Sequence, residues 1–188
     1  VLFRSRQDLQ PERNQLLQIL ANNETTIAKL AKELGNLQDA ISHQKLSVEA
    51  RLKLAKKEPN NSQLIIYLAN SHMSLAEFYD QAKRLTDAEP SYRAAATLYS
   101  SLAKLDPAFK FIGNRVAISR LRIGELCLLR DHHADAVKMA VEVGQVKASH
   151  DPHGQRFKAA TILARAVTLA SRDAKLTPEQ QTKFADQY

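Results

Sequence analysis

Apolar side chains return at helical spacing through the middle of the chain, at Leu64, Tyr67, Leu68, Leu75 and Phe78 or Tyr79, with Ser71 in the same stripe. Steps of three and four place them on one face of a helix expected to end near Lys83. The pattern recurs 48 residues on, where LANSHMSLA (68 to 76) becomes VAISRLRIG (116 to 124), and LAN at 20 to 22 matches LAN at 68 to 70. Pro11, Pro59 and Pro107 keep the register, and Pro152 follows after a unit shortened to 45. Five residues after each proline stands an apolar side chain: Leu16, Leu64, Ile112 and Phe157. Asp39-Ala40, Asp87-Ala88 and Asp135-Ala136 hold the same spacing. Independent features that keep one register describe a repeat.

Local chemistry assigns a task to each recurring position. Asp106-Pro107 and Asp151-Pro152 predict helix starts: the carboxylate accepts an orphan helix N–H, and proline stands where its missing N–H costs nothing. A short polar turn then leads to a second helix, and in the first copy that turn carries Gly35, suited to a left-handed helix end. The Asp-Ala pair is expected in the first turn of the second helix, the carboxylate facing the positive end of the helix dipole. Pro90, three residues after Asp87, reads as a proline within that first turn. Twelve residues before each alanine is another small residue, Ala28, Ala76 or Gly124, so two antiparallel helices are expected to cross closely there.

The unit is therefore a helical hairpin that cannot bury both faces alone, and stacked copies would form a continuous core. The expected organisation is a leader over 1–10, repeats over 11–58, 59–106 and 107–151, and an incomplete, divergent repeat over 152–188. In the last, Thr177-Pro178 with Gln180 predicts an N-cap, a first helical residue and a capping-box partner. The opening VLFRS is similar to a translated sequencing-library adapter, which would make residues 1–5 foreign to the protein.

Composition agrees with an all-α reading. Only 5 Gly and 6 Pro punctuate 188 residues, and 44% hydrophobic with 25% charged residues is an ordinary globular balance. No run suits a membrane span, the N-terminus has no apolar signal-peptide core, and the single Cys127 forms no internal disulfide, so a cytoplasmic protein is expected. The net charge of +7 is spread thinly: residues 1–58 hold 10 basic and 7 acidic side chains, 59–106 hold 4 and 5, 107–151 hold 7 and 5, and 152–188 hold 6 and 3. That distribution lacks the concentrated stripe of a phosphate-binding surface.

Candidate chemistry is sparse. His132, His133, His150 and His153 read as solvated turn histidines without zinc-ligand spacing, and His43 and His72 fall within helices. Cys127 stands where a core side chain is expected and reads as a buried thiol. No nucleophilic triad order, phosphate loop or dinucleotide fingerprint is present, so neither an enzyme nor a cofactor is expected.

A small residue, alanine twelve later, an aromatic four after that, and a closing proline resemble the tetratricopeptide repeat. The second copy carries the match on Leu75-Ala76, Tyr79, Ala88, Tyr92, Ala95 and Pro107, and the third on Ile123-Gly124, Cys127, Ala136 and Pro152. The first keeps Ile27-Ala28, Gly35 and Ala40 but has Ala31 and Gln44 where bulky residues are usual. The family's unit is about 34 residues, so the present unit implies longer helices. LAKLDP and the ending ASRDAKLTPEQQTKFADQY are also similar to the repeat arms of large bacterial serine/threonine protein kinases, although no kinase catalytic motif is present.

The resemblance implies a right-handed solenoid of stacked antiparallel hairpins whose first helices line a concave face. The positions expected there are Asn22, Thr25, Lys29 and Lys32, then Asn70, Met73, Glu77 and Asp80, then Leu121, Arg122, Glu125 and Leu128. It implies a protein-interaction scaffold in a larger bacterial protein, with a protein or peptide segment as partner. The alternatives are a basic solenoid that binds nucleic acid and an autoregulatory arm whose partner is a kinase domain in the same chain.

Overall fold

The computed structural model describes residues 10–105, 110–146 and 152–187. Residues 1–9 of the expected leader, the Asp106-Pro107 cap, Asp151 and His150 lie outside the described residues, and Gln10 already belongs to α1. Among those described there are eight α-helices and no strand: α1 (Gln10–Glu33), α2 (Leu37–Lys57), α3 (Ser62–Gln81), α4 (Leu85–Leu105), α5 (Lys110–Leu128), α6 (His133–Gly144), α7 (Pro152–Ala170) and α8 (Pro178–Gln187). Contacts group the chain into two compact units, Val1–Leu98 and Tyr99–Tyr188, a division that falls inside α4. In the first unit α2 packs against α1 and α3; in the second, α6 packs against α5 and α7, α5 touches α7, and α8 follows α7.

The turns after α1, α3 and α5 share one backbone design. Gly35, Lys83 and Asp131 have φ of 80°, 59° and 58°, in the left-handed region. Around each, two hydrogen bonds close the helix end. Gly35 N–H donates to Lys32 C=O and Asn36 N–H to Ala31 C=O; Lys83 and Arg84 donate to Asp80 and Tyr79; Asp131 and His132 donate to Leu128 and Cys127. This is the Schellman arrangement, in which two otherwise orphaned carbonyls are satisfied by the chain leaving the helix. It recurs at positions 35, 83 and 131, the 48-residue step of the sequence. Only the first copy uses glycine, so Lys83 and Asp131 carry the steric cost of their Cβ atoms.

The next helix starts from the same turn. Ala40, Ala88 and Ala136 donate to the carbonyls of Asn36, Arg84 and His132, and Asp39, Asp87 and Asp135 lie in the first turns of α2, α4 and α6. The Asp side chain also receives a bond from the residue three before it in two copies. Asn36 Nδ2 donates to Asp39 Oδ2 at 2.6 Å, and Arg84 Nε to Asp87 Oδ2 at 2.8 Å. In the third copy His132 makes no side-chain capping bond. At the end of the chain, Thr177 and Gln180 form the expected capping box: Thr177 N–H donates to Gln180 Oε1 at 2.8 Å and Gln180 N–H to Thr177 Oγ1 at 3.2 Å.

One local expectation needs correction. Pro90 is the sixth residue of α4, because the helix opens at Leu85 rather than near Asp87. Its missing N–H therefore falls past the first turn, where a proline costs a hydrogen bond and crowds the carbonyl of Thr86. Near Pro59, α3 opens at Ser62 behind an Asn61 cap that accepts from Leu64 N–H at 3.3 Å.

Small residues do fill the interior: Ala28, Ala40, Ala76, Ala88 and Ala136 are all at 0% exposure. Gly124 lies close to α6, as expected, and to α7 as well. A Cβ there would lie 3.3 Å from Ile162 Cδ1 and 3.5 Å from Met139 Cβ, so the space is taken by α7 and by a residue one turn beyond Ala136. In α4 the buried stripe is Ala88, Tyr92, Ala95, Tyr99 and Leu102, with steps of three and four.

Lys83→Gly is expected to stabilise the protein by about 0.5–1 kcal/mol, because the left-handed strain it removes exceeds the added freedom of the unfolded chain. Gly35→Ala is expected to cost about 1 kcal/mol. A Cβ at Gly35 meets nothing within 4 Å, so that cost is purely conformational. Urea denaturation of the three proteins checks both signs, and equal midpoints would refute the strain.

Candidate interaction surface

In the first unit α1 turns Ala21, Thr25 and Ala28 toward α2. Ala21 and Ala28 are at 0% exposure, and Thr25 Oγ1 lies 2.8 Å from Ser47 Oγ. Thr25 was expected on an open face; its hydroxyl instead joins a buried polar line. Ser47 donates to Ala21 C=O at 3.0 Å and stands 3.4 Å from Ser71 Oγ, while Gln44 Nε2 donates to Ser71 C=O at 3.0 Å. Arg51 completes it, with Nη1 donating to Tyr67 C=O at 3.0 Å and to Ser71 Oγ at 2.5 Å, and Nη2 to Asn22 Oδ1 at 3.2 Å.

One side chain of α2 thus reaches both α1 and α3, which puts those two helices on the same side of α2. Arg51 is 7% exposed, and these partners are neutral: Asn22, Ser71, the Tyr67 carbonyl and the Tyr67 ring at 5.5 Å. Loss of hydration lowers its pKa from the ordinary arginine value, with the tyrosine opposing that shift. Arg51 Nε and Gln44 Oε1 are buried without a hydrogen-bond partner. Removing an acceptor from such a network leaves a buried donor unmet, which costs about 1–3 kcal/mol. The signal was present in the sequence: Gln44, Ser47 and Arg51 step by three and four along the inward stripe of α2, in register with Ser71 on α3.

The residues expected on the concave face divide between solvent and core. Lys29 and Glu77 are exposed and Glu125 is half-exposed; Asn22 and Lys32 are exposed, and Asn70 and Asp80 half-buried. Met73 and Leu121 are core residues, at 3% and 5% exposure, and Leu128 is buried at 3%. Helical geometry gives the reason. Met73 is four residues after Ala69 and three before Ala76, both buried, so it shares their stripe. Leu121 holds the same place between Ala117 and Gly124 in the second unit. Arg122 is exposed there and pairs with Glu125 at 2.8 Å, one helical turn along. An exposed pair of this kind stabilises by only about 0.3–0.5 kcal/mol and leaves both heads available to solvent.

A cation–π arrangement ties the first unit at its α3–α4 turn. Arg84 lies 4.9 Å and Lys45 5.7 Å from the Tyr79 ring centroid, and Arg84 also pairs with Asp87 at 2.8 Å. On the α1–α2 seam His43 Nδ1 meets Glu24 Oε2 at 2.7 Å.

No group of three His, Cys, Asp or Glu side chains among the described residues is placed to hold a metal ion. Cys127 is at 0% exposure. His133, expected as a solvated turn residue, is 6% exposed: it is the first residue of α6, and its Nε2 lies 3.3 Å from Asp173 Oδ2. No described helix is long and apolar enough to cross a membrane.

No protein-family model matches this chain, and no curated protein matches it. Among solved structures it is similar to a "DHF79 filament" at 18% identity, with a TM-score of 0.44, over 94% of this chain and 97% of the other.

His72, on α3 one residue beyond Ser71, is half-buried, with Nδ1 buried and without a hydrogen-bond partner. Loss of hydration lowers its pKa below the ordinary 6.5. The folded chain therefore favours neutral His72, while the unfolded chain takes up the proton first as pH drops. Its contribution to stability is full above pH 6.5 and is lost as pH falls through the lower, folded pKa. His72→Gln is expected to flatten the fall in melting temperature between about pH 7 and pH 5. Parallel melting curves for the two proteins across that range would refute the assignment.

Proposed function

We propose that this chain is a non-catalytic scaffold that binds a protein or peptide segment on the exposed face of α1 and α3. The observation that carries the reading is the set Lys29, Lys32, Asn70, Glu77 and Asp80: all polar, exposed or half-exposed, on the two helices that Arg51 joins. Residues of both signs on neighbouring helices suit a partner recognised by charge pattern and backbone hydrogen bonds. They suit a nucleic-acid backbone poorly, since Glu77 and Asp80 would repel phosphate.

The architecture behind the proposal is a right-handed, tetratricopeptide-like solenoid of antiparallel hairpins, in the cytoplasm and within a larger bacterial protein. Two observations support the hairpins. Bonds between α1 and α2 join Glu24 to His43, Ala21 to Ser47 and Asn14 to Lys57, so one helix is followed upward as the other is followed downward. The left-handed turn also recurs at 35, 83 and 131. A kinase domain in the same chain would be one such partner, reached through this same face.

Selection from a random peptide library on the purified chain, followed by titration, tests the proposal. Lys32→Glu with Glu77→Lys is expected to weaken a selected peptide at least about tenfold, with the melting temperature kept. Recovery of no peptide, or binding indifferent to both changes, overturns it. Duplex binding that collapses between low and physiological salt would instead establish the nucleic-acid alternative.

A further inference from the structure

The side of α1 turned away from α2 is apolar. Leu16, Leu20, Ile27, Leu30 and Leu34 follow one another at steps of three, four or seven, and they are 66%, 46%, 42%, 53% and 86% exposed. Asn23 occupies the step between Leu20 and Ile27, and Ile19, at 48% exposure, flanks the stripe. The inward residues Ala21, Thr25 and Ala28 lie on the opposite side. Such a narrow stripe at steps of three and four is the seam of a paired helix rather than an ordinary solvated surface.

We propose that a second copy of this chain covers this seam, the two α1 helices pairing antiparallel about a two-fold axis level with Thr25. A two-fold contact requires a patch that complements itself, residue by residue. The stripe meets this condition, because 16 and 34, 20 and 30, and 23 and 27 are equidistant from 25. Leu16 then meets Leu34 of the other copy, Leu20 meets Leu30, and Ile27 meets Asn23. One polar residue in such a seam fixes register at a cost in stability.

Arg13 and Glu33 are both exposed and stand at opposite ends of the seam, with exposed Glu12 and Lys32 beside them, so each end carries both signs. Antiparallel pairing about the Thr25 axis brings Arg13 of each copy within about one helical turn of Glu33 of the other, twice by symmetry. Parallel pairing would set Arg13 beside Arg13 and Glu33 beside Glu33. From Leu16 to Leu34 the seam runs about 27 Å at 1.5 Å per residue. Two helices joined over that length bury on the order of 1,000 Å², the lower bound of a specific interface. This face is separate from the polar surface of Lys29 and Glu77, and the proposal stands without any peptide bound there.

Sedimentation equilibrium of the full chain, from about 1 µM to about 1 mM, tests it. A monomer–dimer equilibrium is expected, and Ile27→Glu should weaken it at least about tenfold with the circular dichroism spectrum unchanged. Arg13→Glu should weaken it at low salt, and Arg13→Glu with Glu33→Arg should restore it. A monomer at every concentration, or a dimer indifferent to Ile27→Glu, overturns the proposal. If the chain is monomeric and Ile27→Glu lowers its melting temperature, the seam is covered by the chain's own residues, which overturns it equally. Failure of the charge exchange to restore pairing overturns the antiparallel register.

Discussion

Three helices, α1, α3 and α5, each end on one residue held in the left-handed region. That constraint satisfies two carbonyls at the end of the helix and sets the direction in which the chain leaves. The rest of each turn follows from it. The next residue supplies its carbonyl to the buried alanine of the following helix, and the aspartate beside that alanine falls in the first turn, where the helix dipole favours it. Spending a strained conformation on Lys83 and Asp131, where glycine would be free of strain, shows that the turn is held by its surroundings. At Lys83 those surroundings include Arg84, gripped by both Asp87 and the Tyr79 ring.

The polar network in the first unit works at the next level. Apolar faces between helices can slide by a turn with little loss, whereas hydrogen bonds from Arg51 to Asn22, Tyr67 and Ser71 are satisfied in one register only. The guanidinium gives up hydration without gaining a carboxylate, so the network contributes specificity of position more than stability. The proposed surface requires such a fixed register: Lys29, Lys32, Glu77 and Asp80 can present one pattern only if α1 and α3 keep their places. The same reasoning explains why α1 can carry an apolar outward side. Its inward side is already fixed by Ala21, Thr25 and Ala28, leaving the other side available to a second association.

Much of the secondary structure was legible because the repeated signals are local. Gly35 announced a left-handed helix end, Thr177 and Gln180 announced a capping box, and the Asp-Ala pairs marked first turns. What escaped depended on contacts between elements. Pro90 was assigned to a first turn because nothing in its neighbourhood shows that α4 opens at Leu85. Met73 and Leu121 were placed on an open face, although their spacing from Ala69, Ala76, Ala117 and Gly124 already put them on the buried stripe. His133 was read as solvated because Asp173, which it faces, lies forty residues away in the sequence. The Arg51 network is not legible from residue type alone, although Gln44, Ser47 and Arg51 share the inward spacing of α2.

The central claim is that one left-handed turn recurs after α1, α3 and α5, with or without glycine. Backbone φ angles from three-bond HN–Hα couplings and chemical shifts of isotope-labelled protein measure it directly. Positive φ is predicted at Gly35, Lys83 and Asp131 alike. Negative φ at Lys83 or Asp131 would contradict the recurring turn and, with it, the repeated architecture built on it.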